Sequence, residues 1–522
     1  MRLCLAALVL SALAPLSAQT PSALTDTDLV GRYQATITPD ELAGLLYVYA
    51  DDYMAGRETG EPGQRFAARF LAGQYAAMGV LPKGSGPDNG NYGLDRYLQP
   101  FALEQSSLAR LTADVSRGGT VLVSHVLAPD ATEAAVLVPA YGTVPTARGP
   151  IVYAGDGSGL ADMDVEGAFV VMSPGPDQGA MRAALSAVQA RGGHAAILAT
   201  APTAEALGQR AAAAFGPGRL ALPAVEGEEN EAGGLPSILY SSQETLATLM
   251  EAAGIAAADG TYPTGDTGLT LALDAEYQTT RVMTENVVAM VEGSDMADEF
   301  VVVSAHLDHV GDEGDGEDTI FNGADDDGSG TVSILEIAEA FQTAREMGHG
   351  PRRSILFLHV TGEEKGLLGS AYYADREPLV PIENTVANLN IDMIGRYDPE
   401  RGFDTTDYVY IIGGDLISQD ISDWNAAVND ATGTGLLLSD RFNSPDDPNQ
   451  FFRRSDHWNF GKHDVPFIFY FTGTHEDYHA VGDEPDKIDY DRMARIARLV
   501  FGTAWELANR DERPMVSGVG FN

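Results

Sequence analysis

Short apolar runs in this chain end repeatedly in groups that bind metal ions or move protons. VVVSAHLDH carries His306 and Asp308, NGADDDGSG carries Asp325, Asp326 and Asp327, and SILFLHVTGEEKG carries Glu363 and Glu364. ANLNIDMIG carries Asp392, and THEDYHAVGD carries His475, Tyr478 and His479. Imidazoles and carboxylates without thiolates suit Zn²⁺ or a similar divalent ion. Two carboxylates and two histidines with one further, shared carboxylate suffice for a two-metal site, whose ions lie ~3.5–4 Å apart and clamp attacking and leaving groups. His306 and Asp308 are two apart at a strand end and can face one side, so one can bind metal while the other fixes its ring. Glu363 and Glu364 are adjacent and point apart in extended backbone. One can ligate while the other stays free as a general base.

The elements that must position these groups follow from the apolar pattern. Val301–Val303, Ile355–Val360 and Val386–Ile391 are rich in β-branched and large residues and read as strands buried on both faces. Between the first two, Thr331–Met347 has helical spacing, with Ile334, Leu335, Ala338 and Phe341 on one side. Strand–helix–strand order predicts parallel strands, and open parallel sheets carry their sites at the carboxyl ends. Val465–Gly473 reads as a further buried strand and Tyr490–Asn509 as a closing helix. Upstream, Phe66–Met78 reads as an amphipathic helix with Phe66, Phe70 and Leu71 on one face, ended by Gly79. No catalytic constellation is legible there. From about Leu127 the texture changes to short strands between Gly and Pro, with an Ala-rich helix at Met181–Arg191. A capping box at Ser241 and Glu244 follows. This reads as a separate small α/β unit with an exposed loop at Glu229–Pro236.

A chain of 522 residues exceeds one ordinary core and predicts two or three domains. The expected division is a leader at residues 1–18, an N-terminal part at 19–126, an insertion at 127–263 and a catalytic part at 264–522. The leader, MRLCLAALVLSALAPLSAQT, has one Arg, an apolar core and small residues up to Ala18, the pattern of a signal peptide cleaved near Ala18–Gln19. The expectation is therefore an exported protein, secreted or periplasmic. Cys4, inside this leader, is the only cysteine, which excludes cysteine nucleophiles and thiolate metal sites in the mature chain. The formal net charge of −44, with lysine only at Lys83, Lys365, Lys462 and Lys487, opposes binding to nucleic acid or to an anionic membrane.

Together these motifs resemble the co-catalytic zinc aminopeptidases of metallopeptidase family M28, in particular secreted bacterial members with a protease-associated (PA) insertion. The resemblance covers roughly Pro39–Phe101 and Arg281–Phe501, more loosely the insertion. It implies a mixed, mainly parallel α/β sheet flanked by helices, of the phosphorylase/hydrolase type, with a small inserted PA-like α/β domain. It implies two Zn²⁺ per chain: His306 and Asp392 on the first ion, Glu364 and His479 on the second, and Asp326 bridging. Asp308 would orient His306, Glu363 would be the general base, and Tyr478 would stabilise the tetrahedral intermediate. The implied reaction is attack of a metal-bridged hydroxide on peptides with a free N-terminus, releasing the N-terminal residue.

Rival readings are a carboxypeptidase, an aminoacylase or a glutaminyl cyclase on the same scaffold, and a non-catalytic binding relative. Resembling carboxypeptidases carry a large helical dimerisation domain after the last histidine, and the chain after His479 is too short for one. Intact ligands and base disfavour the binding relative. The DDDG run also invites a calcium reading with Glu336 as the twelfth loop residue, but an EF-hand needs an entering helix where GDGEDTIFNG is turn-like. One of Asp325 and Asp327 is expected to be structural, His309 and His475 to lie near the site without ligating, and His457 to contact substrate. The acidic balance sets a test of its own. Self-repulsion is screened within ~8 Å at physiological ionic strength, so the melting temperature should rise from low to moderate NaCl; a flat or falling profile contradicts a charge-limited fold.

Overall fold

The computed structural model describes residues 24–516 except 89, 91, 92, 130–135, 142, 143, 176, 217, 226–236, 315 and 445. The signal-peptide segment and the loop expected at Glu229–Pro236 lie outside the described residues. The chain divides into two compact units, Met1–Pro100 with Glu285–Asn522, and Phe101–Thr284.

The site of the first unit rests on the strands β1 (Gly265–Val291, through its C-terminal residues), β2 (Met296–His306), β3 (Arg353–Val360), β4 (Thr385–Ile391), β5 (Tyr408–Gly413), β6 (Leu437–Ser439) and β7 (Phe467–Phe471). They lie in the order β6-β5-β7-β4-β2-β3-β1. The central β3, β2, β4 and β7 are parallel, whereas β1 runs antiparallel to β3 and β5 antiparallel to β7. Every residue of β3, β4, β5 and β7 is buried, the signature of a sheet covered on both faces.

Four helices matter for the site: α1 (Pro39–Tyr49), α2 (Pro62–Met78), α3 (Gly330–Glu346) and α4 (Tyr490–Asn509). Thr38 caps α1 by accepting from the Glu41 amide and donating to its carboxylate, with Pro39 in the first turn. Gly79, at φ 74°, ends α2 in a left-handed conformation that a side chain would strain. The buried face of α2 is Ala67, Ala68, Leu71, Ala72 and Tyr75, while Phe66 is 60 % exposed, contrary to the face expected from sequence. The inward side chains are small apart from Leu71 and Tyr75, and the larger Phe66 is left toward solvent. Helix α3 is buried on nearly every side, with the Phe341 ring tilted against Phe501 of α4, centroids 4.7 Å apart.

The second unit carries parallel strands Ala147–Tyr153, Phe169–Met172, Ala195–Ala201 and Ile238–Ser242, helices Gln178–Ala190 and Gln243–Ala252, and a hairpin of Leu98–Arg117 with Thr120–Leu127. It is wider than the insertion expected at 127–263, because the long strands Leu98–Arg117 and Gly265–Val291 supply residues to its sheet. Ser242, one residue beyond the expected Ser241, caps the second helix by accepting from the Thr245 amide. Ser241 instead donates to the Val136 carbonyl. Among the described residues no helix is long and apolar enough to cross a membrane.

One carboxylate in α3 works against the fold. Glu336 is 4 % exposed, and burial, with Glu41 and Glu339 nearby, pushes its carboxyl up to about 8. A carboxyl raised above its unfolded value costs stability as pH climbs from ~4.5 through the folded value. Glu336→Gln should melt about 5 °C higher than the parent at pH 8 and converge with it below pH ~4.5. A gap independent of pH would assign the effect to packing instead.

Candidate metal centre

The parallel strands deliver their last residues to one rim: β2 ends at His306, β3 at Val360 just before the turn holding Glu363 and Glu364, and β4 at Ile391 just before Asp392. Alternation places Ser304 on the face of His306, and Asn388 and Asn390 on the face of Asp392. These polar side chains form a chain of hydrogen bonds beneath the rim. Asn388 Nδ2 donates to Ser304 Oγ (2.8 Å), Ser304 Oγ to Asn390 Oδ1 (2.7 Å), and Asn390 Nδ2 to Ser455 Oγ (2.9 Å).

The turn Ala324–Ser329 runs directly into α3, and its three aspartates have three different tasks. Asp327 accepts the amides of His306 (3.0 Å), Gly330 (3.0 Å) and Met393 (3.3 Å), so one carboxylate joins β2, α3 and the end of β4. A Cβ on Gly330 would run into that carboxylate and the Ile391 carbonyl. Asp325 accepts the Gly395 amide at 2.6 Å, and its other oxygen lies 3.3 Å from His475 Nε2. Asp483 accepts the amides of Asp325 and Asp326 at 3.0 and 3.1 Å. Both Asp325 and Asp327 are therefore structural, where only one was expected, and Asp326 alone faces the rim.

Two donor clusters share Asp326. In the first, His306 Nε2 lies 3.2 Å from Asp326 Oδ1 and 3.7 Å from Asp392 Oδ1. In the second, His479 Nε2 lies 3.1 Å from both Asp326 Oδ2 and Glu364 Oε2. His309 Nδ1 stands 2.9 Å from Glu364 Oε1 and 3.8 Å from Asp326 Oδ2. The paired donors stand 2.9–3.8 Å apart, a spread that brackets the about 3.3–3.6 Å separating donors bound ~2.0–2.2 Å from one tetrahedral ion. Asp326 Oδ2 is buried and accepts no aligned hydrogen bond although imidazole nitrogens lie within reach, so its lone pairs aim at the space between the donors. The residues thus fit a pair of divalent ions of the imidazole- and carboxylate-binding kind. All five ligands inferred from sequence come together, and His309 joins them. Its main chain pairs with Glu58 in an isolated parallel bridge, a non-local contact that fixes where the residue lies.

Asp308 holds His306 differently from the expectation. The ring Nδ1 lies 3.0 Å from the Asp308 main-chain oxygen and 3.9 Å from its carboxylate. That carboxylate is occupied elsewhere, accepting Thr59 Oγ1 at 2.7 Å and the Glu363 amide at 3.2 Å. It therefore fixes the residue expected to move the proton. Burial pushes the Glu363 carboxyl well above the usual range, with His306 opposing and Glu364, Asp392 and Asp456 adding to it. Burial and the carboxylates of Asp326 and Glu364 raise the Tyr478 phenol, which stays protonated. Arg454 Nη2 donates to that phenol oxygen at 3.2 Å. Met393, Phe451, Phe469 and Phe471 line a pocket together with Asp326, Glu363, Glu364, Asp392 and His479.

Two histidines take other roles. His457, expected to touch substrate, is fully buried against Phe467 and Phe469, with Nε2 3.0 Å from the Phe452 carbonyl. Burial pushes its imidazole down to about 3, leaving it neutral in the core. His475 faces Asp325 rather than either cluster. Among the described residues, none of the donors in the two clusters belongs to the Phe101–Thr284 unit.

Comparison with known proteins places this geometry. The family model described as Peptidase family M28 matches residues 286–504. A "probable zinc metalloprotease" of Pyricularia oryzae is 30 % identical over 261 residues, covering 44 % of this chain and 50 % of that protein. Aminopeptidase YwaD of Bacillus subtilis is 24 % identical over 300 residues, covering 54 % of this chain and 59 % of that protein. The chain spans about half the length of the first curated relatives it matches. Among solved structures, an aminopeptidase from Aneurinibacillus sp. strain AM-1 superposes with a TM-score of 0.53 at 17 % identity, covering 95 % of this chain and 99 % of that one, and shares its fold.

The adjacent glutamates give a sharp test. Glu364→Gln removes a donor shared by two imidazoles and should lose the second metal ion. Glu363→Gln leaves both clusters intact, so metal content by mass spectrometry should stay near two per chain while kcat falls ~10²–10⁴-fold. If Glu363→Gln loses metal and Glu364→Gln loses only rate, the two roles are reversed.

Proposed function

We propose, from the premise that residues 286–504 belong to Peptidase family M28, that the protein is an exported two-zinc aminopeptidase taking apolar residues from the N-termini of peptides. The observation that carries this reading is the shared carboxylate, Asp326, between two donor clusters on the floor of a small aromatic-walled pocket. His306 and Asp392 would hold one zinc ion, and Glu364 with His479 or His309 the other. When bound, zinc acts as a Lewis acid toward a carbonyl and lowers the pKa of water.

The chain's own groups account for the rest. Glu363, fixed through its amide by Asp308, takes a proton from the attacking water and returns it to the departing amine. A carboxyl that burial raises above its usual range returns a proton more readily than an ordinary carboxylate. The Tyr478 hydroxyl, kept protonated and backed by Arg454, donates to the oxygen on which negative charge develops. The carboxylates of Glu363 and Asp392 favour a positively charged or metal-bound α-amine at the pocket floor. Met393, Phe451, Phe469 and Phe471 offer an apolar side chain a place out of water, worth ~1.5–3 kcal/mol for a Leu or Phe. The Phe101–Thr284 unit we read as PA-like, with no part in the chemistry.

Leucyl and phenylalanyl amides with free amines, supplied with Zn²⁺, should be cleaved at least ~10²-fold faster than aspartyl or glycyl amides. Their N-acetylated counterparts should be cleaved slower by orders of magnitude. Equal cleavage of blocked and free substrates would favour an aminoacylase or an endopeptidase, and a preference for Asp would contradict the apolar pocket.

A further inference from the structure

Arg57 is 1 % exposed, and its guanidinium is committed to carbonyl oxygens rather than to a side-chain carboxylate. Nε donates to the Leu307 carbonyl (3.2 Å), Nη1 to those of Tyr49 (3.1 Å) and Asn322 (2.7 Å), and Nη2 to that of Gly323 (2.9 Å). The guanidinium also lies over the Tyr49 ring, 4.6 Å from its centroid, and the Tyr49 hydroxyl donates to the same Leu307 carbonyl at 2.8 Å. Burying a cation this completely is costly, so the contacts it makes identify what the position must hold.

Those contacts fall on the segments that carry the metal donors. Leu307 lies between His306 and Asp308. Asn322 and Gly323 lead into the turn that presents Asp326. The main chain of the same residue continues the pattern, because the Arg57 carbonyl accepts the His309 amide at 3.2 Å. Two residues on, Thr59 Oγ1 donates to the Asp308 carboxylate that also holds the Glu363 amide. The planar fork ties four separate carbonyl groups with donors fixed in one plane, one more than the three donors of an ammonium can reach.

We propose that Arg57 is a positioning residue for the dinuclear centre: its guanidinium sets the spacing between the His306 strand end and the Asp326 turn, and thereby zinc affinity and turnover. The kinetic arm of this inference rests on the aminopeptidase reading, whereas the zinc-affinity arm does not.

The experiment compares the full-length protein with Arg57→Lys, which keeps the charge but not the fork, and Tyr49→Phe, which keeps the fork but removes the second donor to Leu307. Zinc affinity is read by competition with a chromophoric chelator, and kcat and KM on leucyl amide under saturating zinc. Arg57→Lys should bind zinc about 10–100-fold more weakly, the range seen when groups that orient metal ligands are changed. At full occupancy its kcat should fall by a similar factor, with KM moving less than about threefold; Tyr49→Phe should shift both in the same direction by a smaller factor. Parental zinc affinity and kcat in a folded Arg57→Lys overturn the proposal. Should Arg57→Lys fail to fold, parental values in Tyr49→Phe overturn it equally. A parent protein that binds zinc but leaves leucyl amide intact would refute the aminopeptidase reading while leaving the affinity comparison decisive.

Discussion

Three carboxylates in succession, all buried, are the constraint on which the rest of this structure depends. A buried charge without partners costs several kcal/mol, and Asp325, Asp326 and Asp327 are each no more than 3 % exposed. The turn meets that cost by dividing the partners. Asp327 takes three amides, Asp325 takes the Gly395 amide and faces His475, and Asp483 takes the amides of Asp325 and Asp326. What remains is Asp326, aimed at imidazoles and without an aligned hydrogen bond on Oδ2. Because Asp327 reads amides from β2, α3 and the end of β4, satisfying the turn also sets the distances between the strands that bear the other ligands. The metal centre and the packing of the sheet are one problem with one solution.

The pocket beside the centre follows the same economy of position. Phe469 and Phe471 alternate along β7 and fall on one face, where Phe451 packs 4.8 Å from Phe471 and Phe442 packs 4.8 Å from Phe451. Tyr410 extends the cluster, 4.7 Å from Phe442. The wall that would meet a substrate side chain thus belongs to a buried core cluster, with Phe469 and Phe471 held by β7. Tyr478 and His479, which line the same pocket, sit in a loop fastened by Asp477, which pairs with both Arg396 and Lys487. His479 holds φ 53° there, a conformation that a non-glycine residue keeps only where its surroundings dictate it.

Where the chemistry sits at strand ends, the sequence was readable. His306, Glu363, Glu364 and Asp392 each follow a strand rich in apolar residues, and parallel order sends such ends to one rim. Asp326 and His479 were legible only through the family resemblance, since a turn aspartate and a loop histidine carry no periodicity. His309 was set aside because its approach depends on a bridge to Glu58, roughly 250 residues earlier in the chain, and no local pattern encodes that pairing. Arg57 was invisible for a related reason: its partners are carbonyl oxygens, which every residue possesses. His457 misled in the opposite direction, since the sequence SDHW gives no sign that the imidazole packs between Phe467 and Phe469. The borders of the second unit were missed because long strands supply both its sheet and the connection out of it.

The account's central claim is that Asp326 serves both clusters. Stripping the protein of metal and titrating Zn²⁺ back, with binding followed calorimetrically, tests it most directly in the parent and in Asp326→Ala. Two zinc equivalents should bind to the parent, and in Asp326→Ala both should weaken together, because each cluster loses the same carboxylate. Loss of one equivalent with the other bound at parental affinity would contradict a shared ligand and divide the site into two independent ones.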